Sequence, residues 1–89
     1  MATTLGDVRT LHEKKRLIIG QERTIKALKS GMIAKVILAS NAPKETKADM
    51  VYYSALSGIE VVELDKPNEE LGATCRKPLP ISVIGVRKE

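Results

Sequence analysis

Four short apolar runs, each rich in β-branched residues, alternate along this chain with stretches of helical periodicity. Runs of this length predict buried strands, and the stretches between them are each long enough for one helix. The predicted strands are "LII", "KVILA", "IEVVEL" and "ISVIGV", which begin at Leu17, Lys35, Ile59 and Ile81. This alternation limits the chain to the α/β class.

The four helices are predicted from apolar spacing and from the residues that end each segment. Leu5, Val8 and Leu11 recur at three-residue spacing in the first, and Gly31 and Gly58 are natural stops for the second and third. The second should bury the stripe of Ile25, Leu28 and Met32, and the fourth is "PNEELGATC". The order α-β-α-β-α-β-α-β implies a mainly parallel or mixed sheet with helices on both faces.

The chain has 89 residues, no internal repeat and no linker long enough to separate two domains. We therefore predict a single domain over residues 1–89. Its fold class is α/β, a three-layer α/β/α sandwich with a four-stranded mixed sheet.

Charge is segregated along the chain. Residues 14–47 carry nine Lys or Arg against two acids, residues 48–75 carry six acids against one Lys, and residues 76–89 carry four basic residues against one acid. A fold that joins the first and third segments would present a positive face, which is typical of nucleic-acid binders. The alternative is that these lysine-rich segments are ordinary solvated helix faces.

Several classes of function lack the residues they need. No apolar run approaches the roughly 18 residues that cross a bilayer, and the first residues do not resemble a secretion signal. Cys75 is the only cysteine, which fits a reducing cytosol, and His12 is the only histidine. No nucleophile lies beside a candidate base. We expect no catalytic activity, no metal, no cofactor and no contact with a membrane.

Gly20 separates the first strand from a basic helix. A phosphate-binding loop would need glycine, Lys and Ser or Thr at fixed positions after it, and Ile25 stands where both glycine-rich motifs require glycine. What remains is a helix N-terminus whose free N–H groups can receive phosphate or base acceptors. Gly20 can also be a tight turn that requires a positive φ, and the two roles are compatible. Because Tyr52 and Tyr53 are the only aromatic residues, stacking of several bases is not expected.

Four stretches resemble a known family: "GQERTIKALKSG", "VILASNAP", "YYSALSGIEV" and "NEELGATCRKPLPISVIGV". They are similar to the L30e ribosomal proteins, a branch of the L7Ae superfamily that binds kink-turn RNA, and the resemblance covers nearly the whole chain. It implies the α/β/α sandwich predicted above. It also implies that three loops at one end of the sheet grip RNA.

The resemblance also implies a set of contact residues. The glycine–helix junction would meet the sheared G·A pairs, a loop asparagine would follow the second strand, and the loop before the last strand would hold a flipped-out nucleotide. Two residues depart from the family pattern: Glu22 stands where the branch tends to have a basic residue, and Arg76 replaces a usual glycine. Glu22 can accept from a guanine amino group or simply favour the helix dipole. The implied RNA-binding residues are Gly20, Gln21, Glu22, Arg23, Lys26, Asn41, Cys75, Arg76, Lys77, Pro78 and Leu79.

The function implied is that of a structural protein of the large ribosomal subunit that binds rRNA at a kink-turn. Its partners would be rRNA and neighbouring ribosomal proteins, its location the cytoplasmic ribosome, and its free state a monomer. Two alternatives remain open: a paralogue that binds kink-turns outside the ribosome, and a protein-interaction adaptor that uses the acidic stretch from Glu60 to Glu70.

Overall fold

A computed structural model describes residues 5–88 and contains the eight elements in the predicted order. Each helix falls on the segment predicted for it, and each strand overlaps its predicted apolar run. The elements are α1 (Leu5–Glu13), β1 (Leu17–Ile19), α2 (Gln21–Lys29), β2 (Ile33–Leu38), α3 (Lys44–Ser57), β3 (Glu60–Glu63), α4 (Asn68–Thr74) and β4 (Val83–Arg87).

The four strands form one mixed sheet in the order β1-β4-β2-β3. β4 is antiparallel to both β1 and β2, whereas β2 and β3 are parallel because α3 carries the chain back between them. Of the two possibilities left open by the sequence, mixed is therefore correct. In this register Ile19 and Leu38 pair with Ile84 and Val83 at the start of β4. The junctions after β1 and β2 and the loop before β4 thus meet at one end of the sheet.

Helices cover both faces of the sheet and enclose two hydrophobic cores, so the three-layer sandwich is confirmed. On one face α1 and α4 pack Val8, Leu71 and Cys75 against Ile37 and Ile84. On the other face α2 and α3 bury a second set, which comprises Ala27, Leu28, Met50, Ile33, Val36 and Val83.

α2 lies closer to the sheet than its apolar pattern suggests. Its buried residues are Thr24, Ala27 and Leu28, and Ile25 packs against the same core, whereas Met32 is 44% exposed. The predicted stripe is therefore right for Ile25 and Leu28 and wrong for Met32. A Cβ placed on Gly85 in β4 would lie 3.0 Å from the Thr24 methyl carbon. A small residue on each element allows this approach, and small residues were not counted in the apolar stripe.

All four helices between residues 5 and 88 end with the same hydrogen-bond pattern. A residue with positive φ follows the last turn, and the next N–H donates to the carbonyl five residues earlier. Gly31 and Gly58 occupy this position after α2 and α3, as the sequence predicts. After α1 and α4 the position is held by Lys15 (φ 58°) and Arg76 (φ 55°), and neither has the glycine that signals such a turn.

α3 carries apolar side chains on its outward face as well as its inward one. Met50 and Ser54 are buried, while Val51, Tyr52 and Leu56 are 52%, 61% and 69% exposed. Tyr53 packs against the second core and Tyr52 does not, which matches the expectation that the adjacent tyrosines point in different directions. No helix within residues 5–88 is long and apolar enough to span a bilayer.

Candidate nucleic-acid interface

The junction between β1 and α2 is open to solvent at Gly20. This residue has φ 105° and ψ 150°, a backbone region occupied almost only by glycine, so the predicted positive φ is confirmed. Its N–H donates to the Val83 carbonyl at 3.1 Å, which ties the junction to the start of β4. A Cβ at this position would meet nothing within 4 Å. The protein therefore leaves empty space on the side of Gly20 where a side chain would stand.

α2 begins directly after this glycine and has no side-chain cap. The first helical hydrogen bond runs from the Thr24 N–H to the Gly20 carbonyl at 3.1 Å. The N–H groups of Gln21, Glu22 and Arg23 are consequently left over at the helix N-terminus. Together with the helix dipole, they favour a hydrogen-bond acceptor or an anion at this position.

The Gln21 side chain fixes the junction against α3. Its Nε2 donates to Asp49 Oδ2 at 3.2 Å, and its Oε1 accepts from the Thr46 hydroxyl at 3.3 Å. Both polar atoms of this amide are therefore used within the protein. Gln21 holds α2 and α3 in register at the end of the sheet where the loops meet.

Asn41 joins the loop after β2 to the beginning of α4. Its Oδ1 accepts from the Asn68 backbone N–H at 2.8 Å, and its Nδ2 donates to Asn68 Oδ1 at 3.2 Å. Asn68 Nδ2 in turn donates to the Ser82 hydroxyl at 3.3 Å, just before β4. Asn41 remains exposed at the surface, and Asn68 connects it to the loop before β4.

Lys47 supports the same loop from α3. Its ammonium group donates to the Ser40 carbonyl at 3.0 Å and to Glu63 Oε1 at 2.9 Å. Since this cation already has two oxygen partners, its role is to hold the β2–α3 loop in place.

The loop between α4 and β4 is packed closely at its base and exposed at its tip. A Cβ on Gly72 would collide with the Leu79 carbonyl oxygen, so the loop crosses α4 where only glycine fits. The Lys77 N–H closes the helix end by donating to the Gly72 carbonyl at 2.9 Å. The Lys77 and Pro78 side chains are exposed, and Leu79 is 70% exposed.

Cys75 is placed differently from its neighbours in this loop. Its side chain is only 1% exposed and belongs to the core beneath α1 and α4. Burial raises the pKa of the Cys75 thiol, although the nearby Lys77 charge acts in the opposite direction. The thiol is thus a neutral packing group that anchors the loop from below.

The junction at Gly20 and the loop before β4 border one cleft of about 250 Å³. Gly20 and Gln21 stand on one side of it, Pro80 to Val83 on another, and Pro43 and Thr46 at the start of α3 on a third. The cleft therefore joins the junction after β1 to the segment after β2 and to the end of the loop before β4, whereas Asn41 and residues 75–79 lie outside its lining. Asn41 lies two residues before Pro43 and is tied to the same region through Asn68.

Exposed cations surround this end of the sheet. Arg23 and Lys26 extend from α2, and Arg76 and Lys77 from the opposite loop. Arg23 and Lys77 line one further cavity, so the fold does join the first and third charge segments, as the positive-face hypothesis requires. Glu22 is an acid next to Arg23 and is exposed in the first turn of α2.

The supporting residues were not found from the sequence. Lys47, Asn68, Ser82 and Gly72 hold the three loops, but each does so through a partner distant in the chain or through a close backbone contact. Only Gly72, a glycine inside a predicted helix, gave a signal that a close approach was needed. Within the described residues no group of three or more His, Cys, Asp or Glu is arranged to hold a metal.

Residues 2–89 match the family described as the "Ribosomal protein L7Ae/L30e/S12e/Gadd45 family". The large ribosomal subunit protein eL30 of Methanocaldococcus jannaschii is 40% identical over 82 residues, which are 92% of this chain and 74% of that protein. The eL30 protein of Pyrobaculum neutrophilum is 41% identical over 71 residues, 80% of this chain and 70% of that protein. The resemblance drawn from the four stretches is confirmed.

Solved structures support the same fold. A protein with unknown function from Bacillus halodurans C superposes with a TM-score of 0.87 at 27% identity, covering 99% of this chain and 87% of that one. The Giardia lamblia 15.5kD RNA binding protein gives a TM-score of 0.86 at 22% identity and covers 96% of this chain and 71% of that one. At this identity the second likeness shows the fold alone.

Proposed function

Because this chain belongs to the ribosomal protein L7Ae/L30e/S12e/Gadd45 family, we propose that it is a structural component of the large ribosomal subunit and binds rRNA at a kink-turn. The relatives named eL30, at 33–41% identity over most of the chain, support the ribosomal part of this proposal. The proposed location is accordingly the ribosome in the cytoplasm, and the role requires no catalytic group.

The observation that carries the RNA-binding part is the open glycine at the start of α2. Gly20 has free space where a side chain would stand, and the unpaired N–H groups of α2 begin at the next residue. A base edge can therefore approach the backbone closely and accept hydrogen bonds there. Exposed cations on both sides of this point can neutralise the crowded phosphates of a sharp bend in RNA.

Each exposed residue of the set has a chemical role in this proposal. Arg23, Lys26 and Lys77 contact phosphates, and Arg76 adds a further charge at the loop. Leu79, which is 70% exposed, packs against an extruded base together with Pro78. Glu22 accepts from a guanine amino group next to the helix N-terminus.

Gln21, Asn41 and Cys75 act mainly by positioning the exposed groups. Gln21 and Asn41 each use both polar atoms within the protein, yet an amide oxygen has a second lone pair and an amide nitrogen a second hydrogen for a base edge. Cys75 fixes the loop through burial, and only its backbone lies within reach of RNA.

The decisive test compares a kink-turn RNA with an unbent duplex of equal length and base composition. We expect the protein to bind the kink-turn at least about tenfold more tightly at 0.15 M salt, a difference of about 1.4 kcal/mol. Equal affinities would show that only general charge attraction remains and would overturn the proposal. Matching the number of phosphates controls for the non-specific contribution to both affinities.

A second test separates a ribosomal protein from a paralogue that acts elsewhere. The endogenous protein should sediment with purified large subunits after a high-salt wash. Its release by the wash, together with recovery in a smaller ribonucleoprotein particle, would favour the paralogue.

The protein-interaction alternative is supported by one observation on α3. Val51, Tyr52 and Leu56 form an exposed apolar stripe on α3, and a stripe of this kind can contact another protein. None of these three residues lines the cleft beside Gly20. If the kink-turn preference proves absent, substitution of Tyr52 should disturb the function while substitution of Lys26 should not.

A further inference from the structure

A second basic cavity lies beside the candidate RNA interface, along the edge of the sheet. It has a volume of about 510 Å³ and is flanked by His12, Lys15, Arg23 and Lys77, with the strand Leu17–Ile19 as its floor. We call this the basic edge groove. His12 and Lys15 come from the end of α1 and belong to none of the segments that the family resemblance singled out.

The floor of the groove is an edge strand with free backbone groups. Among residues 5–88, β1 pairs only with β4. On the side that faces β4, the Arg16 carbonyl and the Gly20 N–H form hydrogen bonds. In an antiparallel ladder the direction of the backbone groups alternates from residue to residue, so the N–H and C=O groups of Leu17 and Ile19 both point toward the open side. Three residues of strand span about 10 Å, and the groove therefore continues from Gly20 along the edge of the sheet.

The charge of the groove is uncompensated within the described residues. No carboxylate lines it, and none of its four basic side chains forms a hydrogen bond or an ion pair within that part of the chain. By contrast, the nearby Arg9 pairs with Glu13 at 3.7 Å and Lys47 pairs with Glu63 at 2.9 Å. Cations without a carboxylate partner, next to free backbone N–H groups, form a surface that favours a polyanion.

Lys15 has a backbone conformation that is unfavourable for any residue except glycine. Lys15 has φ 58° at the end of α1, where its N–H donates to the His12 carbonyl at 3.0 Å. A non-glycine residue in this conformation is disfavoured, and glycine is the ordinary choice at such a helix end. Fold stability alone would favour glycine at residue 15, whereas binding of an anion would favour lysine.

We propose that the basic edge groove binds the sugar–phosphate backbone of the RNA arm that leaves the kink-turn beside α2. The inference rests on the proposed function and extends the interface by about the length of β1. The occupant follows from continuity, because Arg23 and Lys77 belong both to the predicted RNA contacts and to the groove. A strand that passes the helix N-terminus at Gly20 meets His12 and Lys15 next.

The test uses Lys15→Gly, which removes the charge and suits the positive φ of this position. Three RNAs are compared: a minimal kink-turn, and two longer versions in which either one arm or the other is extended by about ten base pairs. Loss of one phosphate contact changes the log-log salt slope by about 0.7 to 0.9, which is about a five- to eightfold loss of affinity at 0.1 M salt. We expect this loss for one lengthened RNA and almost none for the minimal one.

The matched control is Lys29→Gln, at the other end of α2, where the ammonium lies 5.4 Å from the Tyr53 ring centroid. It removes the same charge but should leave the affinity for each of the three RNAs within about twofold of wild type, and Lys15→Arg should retain wild-type binding. The inference is overturned if Lys15→Gly and Lys29→Gln weaken binding of the lengthened RNAs equally, or if neither substitution weakens it.

Two other outcomes would also count against the groove. An equal loss on the minimal and lengthened RNAs would place Lys15 within the kink-turn contact itself. Concentration-dependent dimers in light scattering that disappear with Lys15→Gly, with RNA affinity unchanged, would identify the edge as a self-association surface. Failure of the proposed function is distinguishable, because wild-type protein would then not prefer the minimal kink-turn over a duplex.

Discussion

Substitution of Gly20 by alanine tests whether this residue serves both the fold and RNA binding. The residue has φ 105° and ψ 150°, so a methyl group strains the backbone. Nothing lies within 4 Å of the added Cβ, and steric clash therefore contributes nothing to the cost. Occupation of a glycine-only region costs about 1 to 3 kcal/mol. A domain of 89 residues has a typical free energy of unfolding of about 4 to 13 kcal/mol, so most of the Gly20→Ala protein should stay folded.

The folded Gly20→Ala protein should nevertheless bind kink-turn RNA at least about tenfold more weakly than wild type, a loss of about 1.4 kcal/mol. The physical reason is that the methyl group fills the free space through which a base edge reaches the N–H groups of α2. Urea unfolding gives the stability, and fluorescence anisotropy with labelled RNA gives the affinity of the folded fraction.

Gly31→Ala is the matched control for this experiment. Gly31 lies at the other end of α2, has φ 72° and also has nothing within 4 Å of an added Cβ. The variant should lose about 1 to 2 kcal/mol of stability and keep its affinity. The reasoning would be refuted by a folded Gly20→Ala protein that binds RNA as tightly as wild type, because Gly20 would then serve only as a turn.

Three further predictions concern α2 and the loop before β4. Lys26→Ala and Lys77→Ala should each weaken RNA binding and lower the log-log salt slope by about 0.7 to 0.9. Neither should change the stability of the fold. An unchanged slope in both variants would show that the phosphates bind elsewhere. Arg76→Gly should raise the free energy of unfolding by up to about 1 kcal/mol, since φ is 55°, yet reduce RNA affinity; weaker stability would contradict the strain at this turn. Burial raises the pKa of Cys75 above 9.0, so the unfolded thiol loses its proton first and stability falls as pH rises beyond about 9. Thermal unfolding between pH 8 and 10 should show a smaller decline in Cys75→Ala than in wild type, and an equal decline would exclude this contribution.

The succession of helices and strands was readable from the sequence because each element carries a local signal. The β-branched runs mark the strands, and Gly31 and Gly58 mark two helix ends with positive φ. Lys15 and Arg76 take the same conformation without such a signal, because hydrogen bonds to the preceding turn hold them there. Helix ends of this kind are predicted from glycine, so a helix end at which another residue adopts a positive φ cannot be predicted in this way.

The order of the strands in the sheet and the distance of α2 from the sheet were not predicted, because both depend on contacts between residues that are distant in the sequence. The apolar runs of β1, β2 and β4 are similar in composition, and nothing local places β4 between the other two. The approach of Thr24 to Gly85 joins residues that are 61 positions apart. An apolar count gives no weight to two small residues, although their close packing decides which face of α2 is buried.

The contact residues were predicted from the family resemblance, and their support was not. Asn41 could be identified as a loop asparagine, but its bonds to Asn68 span 27 residues and can only be seen in the fold. The burial of Cys75 beside exposed Lys77 likewise depends on how α4 lies on the sheet. Local sequence thus identifies exposed chemical groups more readily than the partners that position them.

The most direct test of the account is to follow the backbone amide signals of the isotope-labelled protein by NMR as kink-turn RNA is added. The largest shifts should occur at Gln21, Glu22 and Arg23, whose N–H groups are left unpaired at the start of α2, and in the loop from Arg76 to Leu79. Shifts confined to the outward face of α3, around Val51 and Tyr52, with the amides after Gly20 unchanged, would contradict it.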